Sequence, residues 1–322
     1  MAVSGSERLQ LEVTEVEAEA RDVVSIELRD PRGGSLPPFE AGAHLEIDLP
    51  NGMVRHYSLV NDCRERDRYV IGVGRIAGSR GGSIFVHQSI RRGMTLAVSA
   101  PRNNFRLDPL AERFLFIAGG IGITPIMSMI RACEVDARPW RLVYATRNCQ
   151  RAAFYERLKE HGPRVQFHFD DQRGAMLDVA HCLSDVRSGE HIYCCGPQAL
   201  MEAVRMHSQP LPADTVHFEY FTAPAEAAGA AASAVEFEVE LRSSGRRFSV
   251  PPEKSILEVL EAGGLQLPFS CREGLCGTCL TAVCEGVPEH RDYVLSQAER
   301  DAGQSMTICV SRAKSPLLVL DL

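Results

Sequence analysis

The chain has 322 residues, enough for two or three domains. Its 45% hydrophobic and 24% charged content is ordinary for a globular protein, and a net charge of −7 argues against a nucleic-acid partner, whose phosphates need clustered Lys and Arg. There is no apolar run of about 18 residues to span a membrane, and "MAVSGSERLQLEV" has no apolar signal core. The expected location is therefore the cytoplasm, where the eleven cysteines would be thiols or metal ligands rather than disulfides.

Residues 6–108 read as β-structure: "LEVTEVEAEA", "VVSIELRD", "HLEIDLP", "RHYSLVN", "RYVIGVGR" and "MTLAVSAP" are short runs, several alternating apolar with polar, separated by turn signals such as "DPRGG" and "PNG". That spacing predicts an antiparallel barrel or sandwich. "RHYSLVN" is a half-buried strand by pattern, with Arg55 on it. In "SRGGSIFVHQSI", Gly81, Gly82 and Ser83 open a helical run. Free N–H groups at such an N-terminus bind anions, and Ser83 can cap and donate. An ordinary glycine turn reads the same way.

Residues 112–221 change character. "RFLFIAGG" is a continuous apolar run ending in glycines, and helix patterns follow in "ITPIMSMIRACE", "RAAFYERLKEHG" and "PQALMEAVRMHS". Between them "RLVYATR", "VQFHFDD" and "HIYCCGP" read as buried strands, which predicts βα units around a parallel sheet. "LFIAGGIGITPI" departs from the dinucleotide fingerprint G-x-G-x-x-G, since Pro125 stands where the third glycine would be. Asp170 and Asp171 end a strand, where acidic groups hydrogen-bond ribose and repel a 2′-phosphate; Arg147 in "YATRN" is a counter-signal. "VHFEYF" closes the segment as a strand.

Residues 222–234, "TAPAEAAGAAASA", read as a linker, and a last segment follows at 235–322. It opens with the alternation of "VEFEVEL" and the helix-like "SILEVLEAG". Cys271, Cys276, Cys279 and Cys309 then give C-x4-C-x2-C…C, the plant-type 2Fe–2S spacing. Gly274 and Gly277 let the backbone approach the cluster closely. Zinc sites more often use two tight C-x2-C pairs, and here Cys309 stands alone. The other seven cysteines read as buried thiols, with Cys284 on a strand.

Arg55-x-Tyr57-Ser58-Leu59 resembles the flavin signature of the ferredoxin–NADP reductase superfamily. The resemblance implies Arg55 at the flavin phosphate, Tyr57 and Ser58 at the ring and ribityl side, and His56, Val73, Gly74, Gly81, Gly82 and Ser83 in the same set. "GGIGITP" and "YCCGPQALM" resemble the two halves of that superfamily's nicotinamide site. By the same resemblance Gly120, Gly122 and Thr124 let the dinucleotide approach, Cys195 flanks the nicotinamide, and Gly196-Pro197 turns beneath it. Asp170 takes the NADH-selecting position, and Glu219 and Phe221 return to the flavin face, Phe221 stacking on the ring. Thr124, Cys195, Glu219 and Phe221 are the candidate catalytic positions, all of them positioning rather than acid–base residues.

In this order the three segments resemble the phthalate dioxygenase reductase family, with its vanillate O-demethylase relatives. The resemblance implies a flavin-binding β-barrel, a nicotinamide-binding α/β domain and a C-terminal β-grasp ferredoxin. It implies FMN, NADH and a 2Fe–2S cluster, and electrons passed to a separate Rieske-type terminal oxygenase; nothing in the sequence demands more than a monomer. The alternatives are a reductase for an amine- or ether-demethylating monooxygenase, or a zinc-stabilised binding module on a degenerate reductase scaffold.

Overall fold

Alternation along Leu9–Ala20 turns Leu11 and Val13 inward and leaves Gln10 and Glu15 in solvent, the pattern of a strand with one buried face. This strand, β1, belongs to a computed structural model that describes residues 8–76, 81–223 and 235–322. The chain divides into two units, Ser6–Glu219 and a second built on Tyr220–Leu322.

In the first unit β1 joins β2 (Val23–Arg29), β3 (His44–Asp48), β4 (Val54–Ser58), β5 (Tyr69–Gly74) and β6 (Thr95–Val98) in the order β4-β3-β6-β1-β2-β5, all antiparallel. The chain leaving β4 bridges back to β5 through Leu59 and Ile71, and Val60 N–H donates to the Val70 carbonyl at 2.8 Å, so the sheet closes on itself as a barrel. Leu11, Leu28, Leu45, Ile47, Ile71 and Val98 fill it. Helix α1 (Gly82–Ser89) follows β5.

A parallel sheet follows: β7 (Arg113–Gly119), β8 (Trp140–Thr146), β9 (Val165–Phe169), β10 (Glu190–Cys195) and β11 (Val216–Glu219), in the order β11-β10-β7-β8-β9. Its connections carry α2 (Ile123–Val135), α3 (Tyr155–Lys159), α4 (Asp170–Arg173), α5 (Val179–Leu183) and α6 (Gln198–His207). The apolar run on β7 is buried on both faces, as a central parallel strand requires. Val23, Ala41, Val60 and Phe105 from the barrel side join Phe116, Ile126 and Tyr193 in one core, which locks barrel and sheet into a single unit.

The helix expected over "RAAFYERLKEHG" shrinks to α3, because Phe154 takes a left-handed conformation (φ 58°) that an extended helix cannot pass through. The strand expected over "VHFEYF" stops at Glu219.

The second unit contains β12 (Phe237–Leu241), β13 (Arg247–Val250), α7 (Ile256–Ala262), β14 (Leu280–Glu285), β15 (Pro288–Glu289), α8 (Gln297–Ala302), β16 (Ser305–Thr307), β17 (Arg312–Ala313) and β18 (Leu317–Leu320). The main sheet runs β13-β12-β18-β14-β16, with β12 and β18 parallel, and α7 packs Ile256, Leu257 and Leu260 into its core. Ser255 and Glu258 form a capping box that fixes where α7 begins. This is the expected β-grasp sheet. Residues 224–234 of the expected linker lie outside the described residues. Among the described residues no helix is long and apolar enough to cross a membrane.

Candidate functional site

The two expected phosphate-binding elements meet. A Cβ built on Gly82 would lie 2.3 Å from Arg55 Nε, so the guanidinium from β4 rests on the first turn of α1, and only glycine leaves room for it. Gly81 precedes it with φ 87°. Ser83 is buried, and its Oγ accepts the Ile76 N–H at 3.2 Å. A helix N-terminus facing a guanidinium is an anion cradle of the kind a terminal phosphate fills. The Tyr57 hydroxyl is buried without a hydrogen-bond partner among the described residues, and burial pushes its pKa up to about 12. An orphaned donor of this kind fits a bound polar ligand. Along the same strand, His56 lies 3.6 Å from the Glu46 carboxylate and packs edge-on against His44. Val73 is buried, and its carbonyl sits 2.9 Å from His87 Nε2.

The second site is a crossing of two loops. A Cβ on Gly122 would lie 2.2 Å from the Cys195 carbonyl oxygen, and one on Gly119 would lie 2.5 Å from Pro197. A Cβ on Gly196 would lie 2.9 Å from the Gly119 backbone. These loops leave β7 and β10, adjacent strands where the sheet order reverses, and open α/β sheets bind ligands at that reversal. A cleft of about 440 Å³ opens there, lined by Gly74, Gly120, Pro197 and Asp170 from the expected set. Asp170 starts α4 directly after β9, 3.3 Å from His168 Nε2, and Arg147 at the end of β8 lines the same cleft.

Sequence reasoning missed the cleft's other charges. Arg21, Asp22, Arg75 and Arg151 line it too. Asp22 pairs with Arg75 and, at 3.1 Å, with Arg151; its φ of 66° puts it in the tight turn between β1 and β2. The turn signal in "ARDVV" was the available clue, but nothing in it names a partner so distant in the chain.

Thr124 and Cys195 sit behind the cleft wall. Thr124 is buried and donates to the Ile121 carbonyl at 2.9 Å; Cys195 is 1% exposed, and burial, then Glu219, pushes its thiol well up. Cys195 is in register with Glu219, whose carboxyl meets Ser58 Oγ at 3.4 Å. Glu219 is half-buried as a residue but its carboxyl is enclosed, and that burial, opposed by Ser58, pushes its pKa up to about 8. Ser58, Cys195, Gly122 and Glu219 therefore converge. Phe221 belongs to the second unit, where it is 41% exposed.

In the second unit the backbone wraps inward around the cysteines. Arg272, Gly274 and Gly277 all take positive φ. The Glu273 and Leu275 N–H groups both donate to Cys271 Sγ at 3.4 Å, and Cys276 Sγ meets Thr278 Oγ1 at 3.2 Å. A side chain on Gly274 would strike Val310 at 2.7 Å, next to Cys309. The sulfurs of Cys271 and Cys276 interact, as do those of Cys279 and Cys309, and Cys309 also meets Cys271. None of the four forms a disulfide.

A tetrahedral zinc site brings its sulfurs to roughly 3.8 Å of one another. Among the described residues no three of these sulfurs satisfy a mutual spacing of 4.8 Å. Four sulfurs linked in the order Cys276, Cys271, Cys309, Cys279, with backbone amides aimed at Cys271 Sγ, fit a two-iron cluster. Cys284 lies outside this set; it is exposed on β14, unlike the buried thiol expected.

Residues 239–314 match the family described as 2Fe–2S iron–sulfur cluster binding domain, and residues 96–211 match the dimethylamine monooxygenase subunit DmmA-like N-terminal domain. The chain is 46% identical over 319 residues to phthalate dioxygenase reductase of Burkholderia cepacia, covering 98% of this chain and 97% of that one. It is 45% identical over 306 residues to phenoxybenzoate dioxygenase subunit beta of Ectopseudomonas oleovorans, covering 94% of each. A solved phthalate dioxygenase reductase, described as a modular structure for electron transfer from pyridine nucleotides to [2Fe–2S], superposes with a TM-score of 0.71 at 45% identity over 98% of both chains.

Proposed function

The chain belongs to the phthalate dioxygenase reductase family, and we propose that it is the reductase component of a two-component Rieske oxygenase, taking hydride from NADH onto FMN and passing single electrons through a 2Fe–2S cluster to a separate terminal oxygenase. One observation carries this reading: a chain matched end to end by such a reductase keeps both the switch-point cleft and the four-sulfur loop. We assign FMN to residues 6–108, NADH to 112–221 and the cluster to 235–322, with 222–234 as linker.

Flavin supplies the conversion of a two-electron donor into single-electron transfers, and the chain's own residues bind, orient and shield. Arg55 and the first turn of α1 hold the phosphate, while Tyr57 offers its unpaired hydroxyl to the ligand. Gly122 lets the loop after β7 cross the loop after β10 in backbone contact, which fixes the wall of the cleft where the nicotinamide would approach the flavin. Thr124 and Cys195 hold that crossing in place, and Glu219 serves the flavin face. Asp170 accepts from the adenosine ribose and disfavours a 2′-phosphate. Cys271, Cys276, Cys279 and Cys309 bind the irons.

The partner is an aromatic-ring dioxygenase or an O-demethylase. The DmmA-like match over residues 96–211 favours an amine-demethylating partner as the second reading. Purified protein should show overlapping flavin and iron–sulfur absorbance that NADH bleaches anaerobically, and it should reduce a one-electron acceptor faster with NADH than with NADPH. A folded, colourless, zinc-loaded protein would overturn the proposal, and equal rates with both nucleotides would remove the role given to Asp170.

A further inference from the structure

Three ligand-type side chains converge on the parallel sheet, away from the cleft. His191 lies near the start of β10, whose other end feeds the Gly196–Pro197 turn. His217 lies on the edge strand β11, in register with Tyr193, so His191 and His217 are diagonal neighbours on one sheet face. Asp108 comes from the segment before β7. The buried Tyr193 hydroxyl fixes that segment: it donates to the Arg106 carbonyl at 2.9 Å and accepts the Asp108 N–H at 2.7 Å. Arg138 also holds the Asp108 carbonyl, at 2.8 Å. Asp108 Oδ1 accepts the Leu110 N–H at 2.7 Å, which leaves Oδ2 directed at His191 Nδ1, 3.7 Å away. His191 Nδ1 and His217 Nε2 are 3.1 Å apart, and the three ligand atoms lie within 4.8 Å of one another.

We propose that Asp108, His191 and His217 form a divalent-metal site, that Zn²⁺ is the ion it fits best, and that a water completes the coordination. Tetrahedral zinc with imidazole and carboxylate ligands sets neighbouring ligand atoms roughly 3.3 Å apart. The observed 3.1 and 3.7 Å straddle that spacing, so small side-chain shifts admit the ion. The proton count points the same way. A single proton on His191 Nδ1 satisfies either His217 or Asp108 but not both, whereas a cation satisfies all three lone pairs. Tyr193 supplies the outer support, stacked 4.3 Å from the His217 ring and hydrogen-bonded to the Asp108 backbone. The ion would brace the four-residue edge strand β11 against the segment leading into β7.

The test uses the holoprotein, washed with chelator, with its flavin and iron contents verified. It is titrated with Zn²⁺ in competition with a chromophoric chelator. The wild type should bind one equivalent. Asp108→Asn and His217→Gln should each weaken binding at least about tenfold. Cys284→Ser should retain it, which separates this site from the exposed thiol. Zn²⁺ should also raise the thermal unfolding midpoint of the wild type but not of Asp108→Asn. That variant keeps both the Tyr193 contact to its backbone and an Oδ1 for Leu110, so it folds even where His217→Gln does not. Absence of a bound equivalent in the wild type, unchanged affinity in Asp108→Asn, or loss of binding in Cys284→Ser overturns the proposal.

Discussion

The four-cysteine loop and the nucleotide cleft present opposite designs. The loop draws three of its four ligands from one short stretch, Cys271–Cys279, and its ligands are side chains whose identity cannot vary. The cleft draws its walls from the β1–β2 turn, the ends of β5, β7 and β8, the start of α4 and the turn after β10. Much of what it offers is backbone shape and unassigned positive charge. A bonded cluster fixes residue type and spacing, whereas a cleft for a soluble ligand fixes only where chains pass each other. Loss of one group should therefore be absolute in the loop and graded in the cleft.

Cys309→Ser is the sharpest form of that contrast. Removing one thiolate leaves three ligands for a centre that takes four. The variant should lose its iron and its iron–sulfur signal in electron paramagnetic resonance, while NADH still bleaches its flavin at the wild-type rate. Loss of both together would show that the two regions do not act separately. In the cleft, Gly122→Ala is the matching change. Its Cβ would lie 2.2 Å from the Cys195 carbonyl, a backbone atom that cannot rotate away. The expected cost is about 1–3 kcal/mol in urea unfolding, with slower flavin reduction and the cluster intact. A stability equal to wild type would mean that the two loops are not tied at this crossing.

The same contrast explains what the sequence makes legible. C-x4-C-x2-C…C identifies the cluster loop, and the apolar run of β7 identifies a central parallel strand. Arg55 and "GGS" are readable separately, but only the fold shows that the guanidinium lies on the glycine. Arg21, Arg75 and Arg151 carry no local signature, since a cleft arginine resembles a surface arginine until the chain has folded. His191 and His217 are similarly hidden: each occupies an ordinary strand position, and adjacency of β10 and β11 creates the pair. The shortened α3 was missed because propensity is summed over a window, and the left-handed Phe154 is set by tertiary packing.

The most gradual effect, spread over pH rather than produced by a single substitution, concerns Glu219, a carboxyl in contact with Ser58 whose pKa is strongly raised. Its pKa rises from 4.5 to about 8 because burial penalises the charged form, with Ser58 offering only partial compensation. The unfolded chain releases this proton near its ordinary value. Between the two values the folded state holds a proton that the unfolded state has lost. The stabilisation linked to this group is thus fully present below about pH 4.5, declines as pH rises, and is gone above about pH 8. In that window the wild type should lose up to about 1.4 kcal/mol per pH unit more than Glu219→Gln, which cannot ionise. Urea unfolding of both proteins at several pH values between these limits measures the difference. Parallel curves would mean that Glu219 ionises freely, and that the Ser58–Glu219–Cys195 cluster is open to water in the way the cluster loop, with its amides turned onto sulfur, is not.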